Sequence, residues 1–116
     1  MNDVVILHNP LCSKSRAALE LIEARGIVPR IVDYIATPPS VAELDAILDK
    51  LGIAPRALMR HDEPEYRQLD LDDPALTRKE LVAAMHDYPR LIQRPIVLAN
   101  GKAAIGRPPE DVLAIL

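Results

Sequence analysis

One cysteine occurs in this sequence, Cys12, within the stretch His8-Asn9-Pro10-Leu11-Cys12-Ser13-Lys14-Ser15-Arg16. A lone thiol excludes an internal disulfide framework and a multi-cysteine zinc site. What remains is an inert buried cysteine or a nucleophile that works with thiols from outside the chain. The neighbours favour the nucleophile. Free cysteine titrates near about 8.5, and a helix N-terminus with basic neighbours lowers that to roughly 3.5–7.5. Lys14 and Arg16 supply cationic charge, and Ser13 and Ser15 supply hydroxyl groups. The unpaired N–H groups of a helix start also bind oxyanions. These residue types predict a thiolate inside an anion-binding loop. Arg94 and Arg107 each precede a proline, at boundaries where side chains commonly line a site. Arginine is always protonated, and its fork matches the oxygens of a tetrahedral oxyanion.

For Cys12 to occupy such a place, a strand must hand over to a helix there. Val4-Val5-Ile6-Leu7 is an apolar run without polar alternation, so it predicts a strand buried on both faces. Pro10 stops the ladder because it has no N–H. Ala17, Ala18, Leu19, Leu21 and Ile22 follow at helical spacing, and Gly26 suits the C′ position. Arg30 to Ile35 predicts a second strand and hence a parallel, right-handed β-α-β unit. Thr37-Pro38-Pro39 breaks the pattern. Ser40 and Glu43 form a candidate capping box ahead of Leu44, Ile47, Leu48 and Leu51, with Gly52 closing the helix. Short helical segments are expected from Pro55 to Arg60 and from Pro64 to Leu69. Thr77 and Glu80 form a second capping box, with Leu81, Ala84, Met85 and Tyr88 on one face and Pro89 ending the helix. Pro95 to Leu98 and Lys102 to Ile105 read as strands joined by Asn100-Gly101, a strong hairpin signal. Pro108-Pro109-Glu110-Asp111 then begins a last helix that continues through Leu116.

This order gives an α/β fold of thioredoxin-like arrangement: β-α-β, a helical insertion over about 40–88, then β-β-α, in a single domain over 1–116. With no Phe or Trp and three Tyr in 116 residues, the core must be built from Leu, Ile, Val and Ala. A formal charge of −3 argues against nucleic-acid binding, which needs a basic footprint. No signal peptide or membrane-length apolar run is read in the sequence, so no membrane partner and a cytoplasmic location are expected.

Four stretches resemble the glutaredoxin-coupled arsenate reductase (ArsC) family: His8-Asn9-Pro10-x-Cys12-x-x-Ser15-Arg16, Thr37-Pro38-Pro39, Arg94-Pro95-Ile96-Val97 and Gly106-Arg107-Pro108. Arg56-Ala57-Leu58-Met59-Arg60 is similar to the family's helical segment, and the likeness runs from about residue 4 to the end. The resemblance implies Cys12 as the nucleophile that attacks arsenic. It implies Arg60, Arg94 and Arg107 as the trio that holds the oxyanion, and His8, Asn9 and Ser15 as loop residues that order the site. Arg94-Pro95 resembles the cis-proline junction of thioredoxin-like proteins. The implied partners are arsenate or a similar oxyanion, glutathione as co-substrate, and glutaredoxin, with no bound cofactor and no metal. Ser13-Lys14, in place of a Gly-Thr pair, and the tight Asn100-Gly101 hairpin resemble the family's housekeeping branch, in which a thiol reductase could serve another physiological substrate. For Lys14 and Arg16 the sequence leaves two roles open, cationic charge beside Cys12 or a solvated position on the helix.

The thiol count narrows the mechanism. Thioredoxin-coupled arsenate reductases use additional cysteines of their own, and this chain has none, so external glutathione with glutaredoxin is the consistent route. A Spx-like regulator that binds RNA polymerase shares the fold and the Arg-Pro-Ile stretch. Many such regulators carry Cys-x-x-Cys, where this chain has Ser15. Monothiol glutaredoxins carry Cys-Gly-Phe-Ser, which Cys12-Ser13-Lys14-Ser15 does not match. A phosphatase loop needs Cys-x5-Arg, and Ala18 occupies the arginine position.

Overall fold

A computed structural model describes residues 3–116. Its central strand is β1 (Val5–His8), one residue later than the apolar run, so that His8 becomes the last strand residue. β1 pairs in parallel with β2 (Arg30–Asp33), His8 standing opposite Asp33. On its other side β1 runs antiparallel to β3 (Ile96–Ala99), which pairs with β4 (Lys102–Ile105). The sheet order is β2-β1-β3-β4, and β1, flanked on both edges, is buried as its composition requires. β2 is shorter than the expected strand. The Asp33 carboxylate accepts the N–H groups of Ile35 (3.1 Å) and Ala36 (3.2 Å), which turns the chain out of the sheet.

α1 (Ser13–Ala24) crosses over between β1 and β2, and Gly26 beyond it has φ 75°, the left-handed region where glycine is favoured. The hairpin between β3 and β4 turns through Asn100 (φ 54°) and Gly101 (φ 73°), the two positive values a tight two-residue loop needs. The final segment, Pro109–Ile115, winds as a 3₁₀ helix rather than the expected α-helix. A short segment gains few i→i+4 bonds, so the tighter winding wins. Ile6, Ala18, Ile22, Val97 and Val112 form the centre of this core.

By contact the chain divides into two compact units, the first running to Thr37 and resuming over Arg94–Leu116, the second being Pro38–Gln93. The second is helical: α2 (Val41–Leu51), α3 (Pro64–Gln68) and α4 (Arg78–Asp87), with 3₁₀ turns over Pro55–Leu58 and Pro89–Leu91. Both capping boxes form, Ser40 with Glu43 and Thr77 with Glu80. α2 packs on α4, burying Leu44, Ile47, Leu48, Leu81, Val82 and Met85. Tyr88 does not share that face. It caps α4 with φ −129° and ψ 74°, off the helix, and is exposed. No helix among the described residues is long and apolar enough to cross a membrane.

Candidate active site

Cys12 is the N-cap of α1, with extended backbone (φ −96°, ψ 123°), at the hand-over from β1 to the helix. Asn9 shapes the connecting loop with three hydrogen bonds. Its Oδ1 accepts the Leu11 N–H at 3.0 Å, its carbonyl accepts the Cys12 N–H at 3.0 Å, and its own N–H donates to Ser15 Oγ at 3.0 Å. Arg16, from the first turn of α1, donates Nη1–H to the Pro10 carbonyl at 2.8 Å. The loop before the cysteine is thereby fastened at both sides of Pro10.

Ser15 is fully buried, and its Oγ lies 2.6 Å from His8 Nδ1. That oxygen also accepts the Asn9 N–H, so Ser15 Oγ joins the backbone of the loop to the His8 ring. Burial is the main cause holding the His8 pKa below its ordinary value. Asp33 pulls it up and Arg16 pushes it further down. The neutral imidazole of His8 is therefore favoured over the cation.

Cys12 is 9% exposed. Burial alone pushes its pKa up, but the N–H groups of Ser15 and Lys14 and the Arg94 guanidinium together outweigh burial and bring it below the ordinary thiol value. The N–H groups that the start of α1 leaves without an intrahelical partner are thus the ones that favour the sulfur's anion. The expected result is an iodoacetamide-labelling midpoint below the roughly 8.5 of a free cysteine. A midpoint at or above that value would contradict the arrangement. The lowered pKa also adds stability that is complete above the unfolded thiol's pKa and is lost as pH falls through the folded one.

The arginines come from two corners that each carry a cis proline, Arg94-Pro95 before β3 and Arg107-Pro108 after β4. Arg107 Nε donates to the Arg94 carbonyl at 3.0 Å, and the Gly106 N–H donates to the Pro95 carbonyl at 2.9 Å. Arg94 acts on Cys12 directly, and its Nε is buried with no hydrogen-bond partner. A guanidinium donor left unmet beside a thiolate-prone sulfur is a ready contact for an anion.

A sequence model of the ArsC family matches residues 7–115. The chain belongs to the ArsC family. It is 52% identical over 117 residues to an arsenate reductase of Neisseria meningitidis serogroup A, covering the whole of both chains. It is 50% identical over 114 residues to YfgD, an uncharacterized protein of Escherichia coli K12, covering 97% of this chain and 96% of that one. The solved structure of an arsenate reductase from Vibrio cholerae superposes with a TM-score of 0.96 at 51% identity, covering 98% of each chain. The thioredoxin-like α/β fold expected from the order of elements is thus the fold of this ArsC chain.

Within the first unit of this ArsC protein, the structure joins His8, Asn9 and Ser15 in one hydrogen-bonded loop around Cys12, with Arg94 acting on the sulfur and Arg107 tied to Arg94. Arg60 belongs to the second unit. There it pairs with Glu63 at 2.8 Å, while its Nε is buried without a partner. Lys14 is exposed, and Arg16, also exposed, has the bracing role that sequence reading missed. The signal was available in its spacing: a side chain in the first turn of a helix leans toward the N-terminus, here over Pro10.

Proposed function

We propose that this ArsC protein is an oxidoreductase that reduces arsenate to arsenite, with Cys12 as nucleophile and with glutathione and glutaredoxin completing the cycle. The observation that carries the reading is the Cys12 sulfur, whose anion is favoured by the start of α1 and by Arg94, next to the unmet Nε donor of Arg94. The arsenate reductase names of its relatives support the substrate.

The thiolate attacks arsenic, forming an S–As bond as water leaves from a protonated arsenate oxygen. Arg94 and Arg107 hold the remaining oxygens and their charge. The family pattern adds Arg60, whose unpartnered Nε suits a guanidinium with a donor to spare. A glutathione thiolate then attacks Cys12 Sγ. The S–As electron pair passes to arsenic, which leaves as arsenite, and Cys12 becomes a mixed disulfide with glutathione. The glutaredoxin thiolate takes the glutathionyl sulfur and releases the Cys12 thiolate, and a second glutathione restores glutaredoxin. Arsenate and two glutathiones thus become arsenite, glutathione disulfide and water.

His8, Asn9 and Ser15 keep the loop in the conformation that offers Sγ to the oxyanion. A coupled assay that follows NADPH oxidation through glutathione reductase tests the reading. Turnover is expected only when arsenate, glutathione and glutaredoxin are all present. Arsenate-independent consumption, or none with all three, would sink it.

A further inference from the structure

We infer that Gly106 is a positioning residue that sets the spacing of Arg94 and Arg107, an inference that rests on the oxyanion-clamp reading above. Glycine is present at Gly26, Gly52 and Gly101 for backbone freedom, since each has a positive φ and open space where a side chain would go. Gly106 is the opposite case. Its φ lies outside the left-handed region, and a Cβ built on it would meet Pro95 Cγ at 2.7 Å, Pro95 Cδ at 3.3 Å and Val112 Cγ1 at 3.3 Å. Room is the requirement, and the ring it makes room for belongs to the residue after Arg94.

The bare backbone of Gly106 lies against the Pro95 ring and donates its N–H to the Pro95 carbonyl at 2.9 Å. One residue further on, Arg107 Nε reaches the Arg94 carbonyl at 3.0 Å. The two corners are therefore clasped residue against residue, glycine on proline and arginine on arginine. Neither the Pro95 ring, a closed cycle, nor the fully buried Val112 can swing aside as a flexible side-chain tip would. A methyl group at 106 must push the corners apart, lengthen the Arg107–Arg94 tie and draw the guanidinium groups out of step with Cys12.

Gly106→Ala tests this, with Leu44→Ala as a control that loses stability through a core cavity in the second unit. In Gly106→Ala the iodoacetamide-labelling midpoint of Cys12 should rise by up to about one pH unit as Arg94 loses its alignment. The KM for arsenate should rise roughly 10- to 100-fold, the scale of an ångström-sized misplacement. Leu44→Ala should change neither. A folded Gly106→Ala protein with the wild-type midpoint and KM would overturn the inference and leave Gly106 a packing residue only. If the single variant does not fold, Gly106→Ala with Val112→Ala gives the backbone space to move, and the same two readouts decide. A wild-type protein that fails to reduce arsenate would remove the proposed function, while the labelling midpoints would still decide the role of Gly106.

Discussion

Replacing Cys12 by serine is expected to lower arsenate reduction by a factor on the order of 10⁴ or more, the scale seen when an essential nucleophile is removed. Two properties are lost together. A serine hydroxyl is not ionised by the fields that favour the Cys12 anion. More decisively, the reducing step of the proposed cycle places the S–As electron pair on arsenic while a second thiol bonds to Sγ, and oxygen offers no equivalent bond to an incoming thiolate. No other thiol in the chain can substitute. Fold and oxyanion binding should survive, since the loop is held by Asn9, Ser15 and Arg16 rather than by the sulfur. The coupled assay, run beside circular dichroism, separates these outcomes. Appreciable turnover by Cys12→Ser would place the chemistry elsewhere.

The second large effect is expected at Arg94. In the proposed clamp Arg94→Ala removes an oxyanion donor, a loss that typically costs about 10²- to 10³-fold in kcat. It also removes the guanidinium that favours the thiolate, so the labelling midpoint of Cys12 should move up. Activity at pH 7 would then recover partly as pH is raised. Arg94→Lys keeps charge but loses the fork and should fall between the two. Arg107→Ala and Arg60→Ala should act mainly by weakening oxyanion binding, and sulfate should compete with arsenate in the wild type. Wild-type kinetics in all three alanine variants would mean that these arginines are not the clamp.

Much of this was legible in the residues because local chemistry decided it. Both capping boxes, the Asn100-Gly101 hairpin and the apolar β1 run depend on neighbours a few positions apart, and each forms within one residue of where it is expected. The loop from His8 to Ser15 was legible for the same reason. What sequence spacing could not carry were the features set by distant partners or by competing side chains. Asp33 ended β2 early by capturing two N–H groups of the turn beyond it. Tyr88 lies on the right helical stripe but outside the helix, where the chain has already turned away. The clasp of Gly106 on Pro95 joins residues eleven apart in sequence across a hairpin, and nothing in either motif alone announces it.

The most direct test of a lone-thiol mechanism is the intact mass of the protein after incubation with arsenate and glutathione, without glutaredoxin. With Cys12 as the only cysteine, every disulfide the protein forms must join it to another molecule. The expected result is a protein arrested with one glutathione joined to Cys12 through a disulfide. Glutaredoxin should strip the added mass and restart turnover, and thioredoxin should do so poorly. An unchanged mass, or full turnover with thioredoxin and no glutathione, would contradict it.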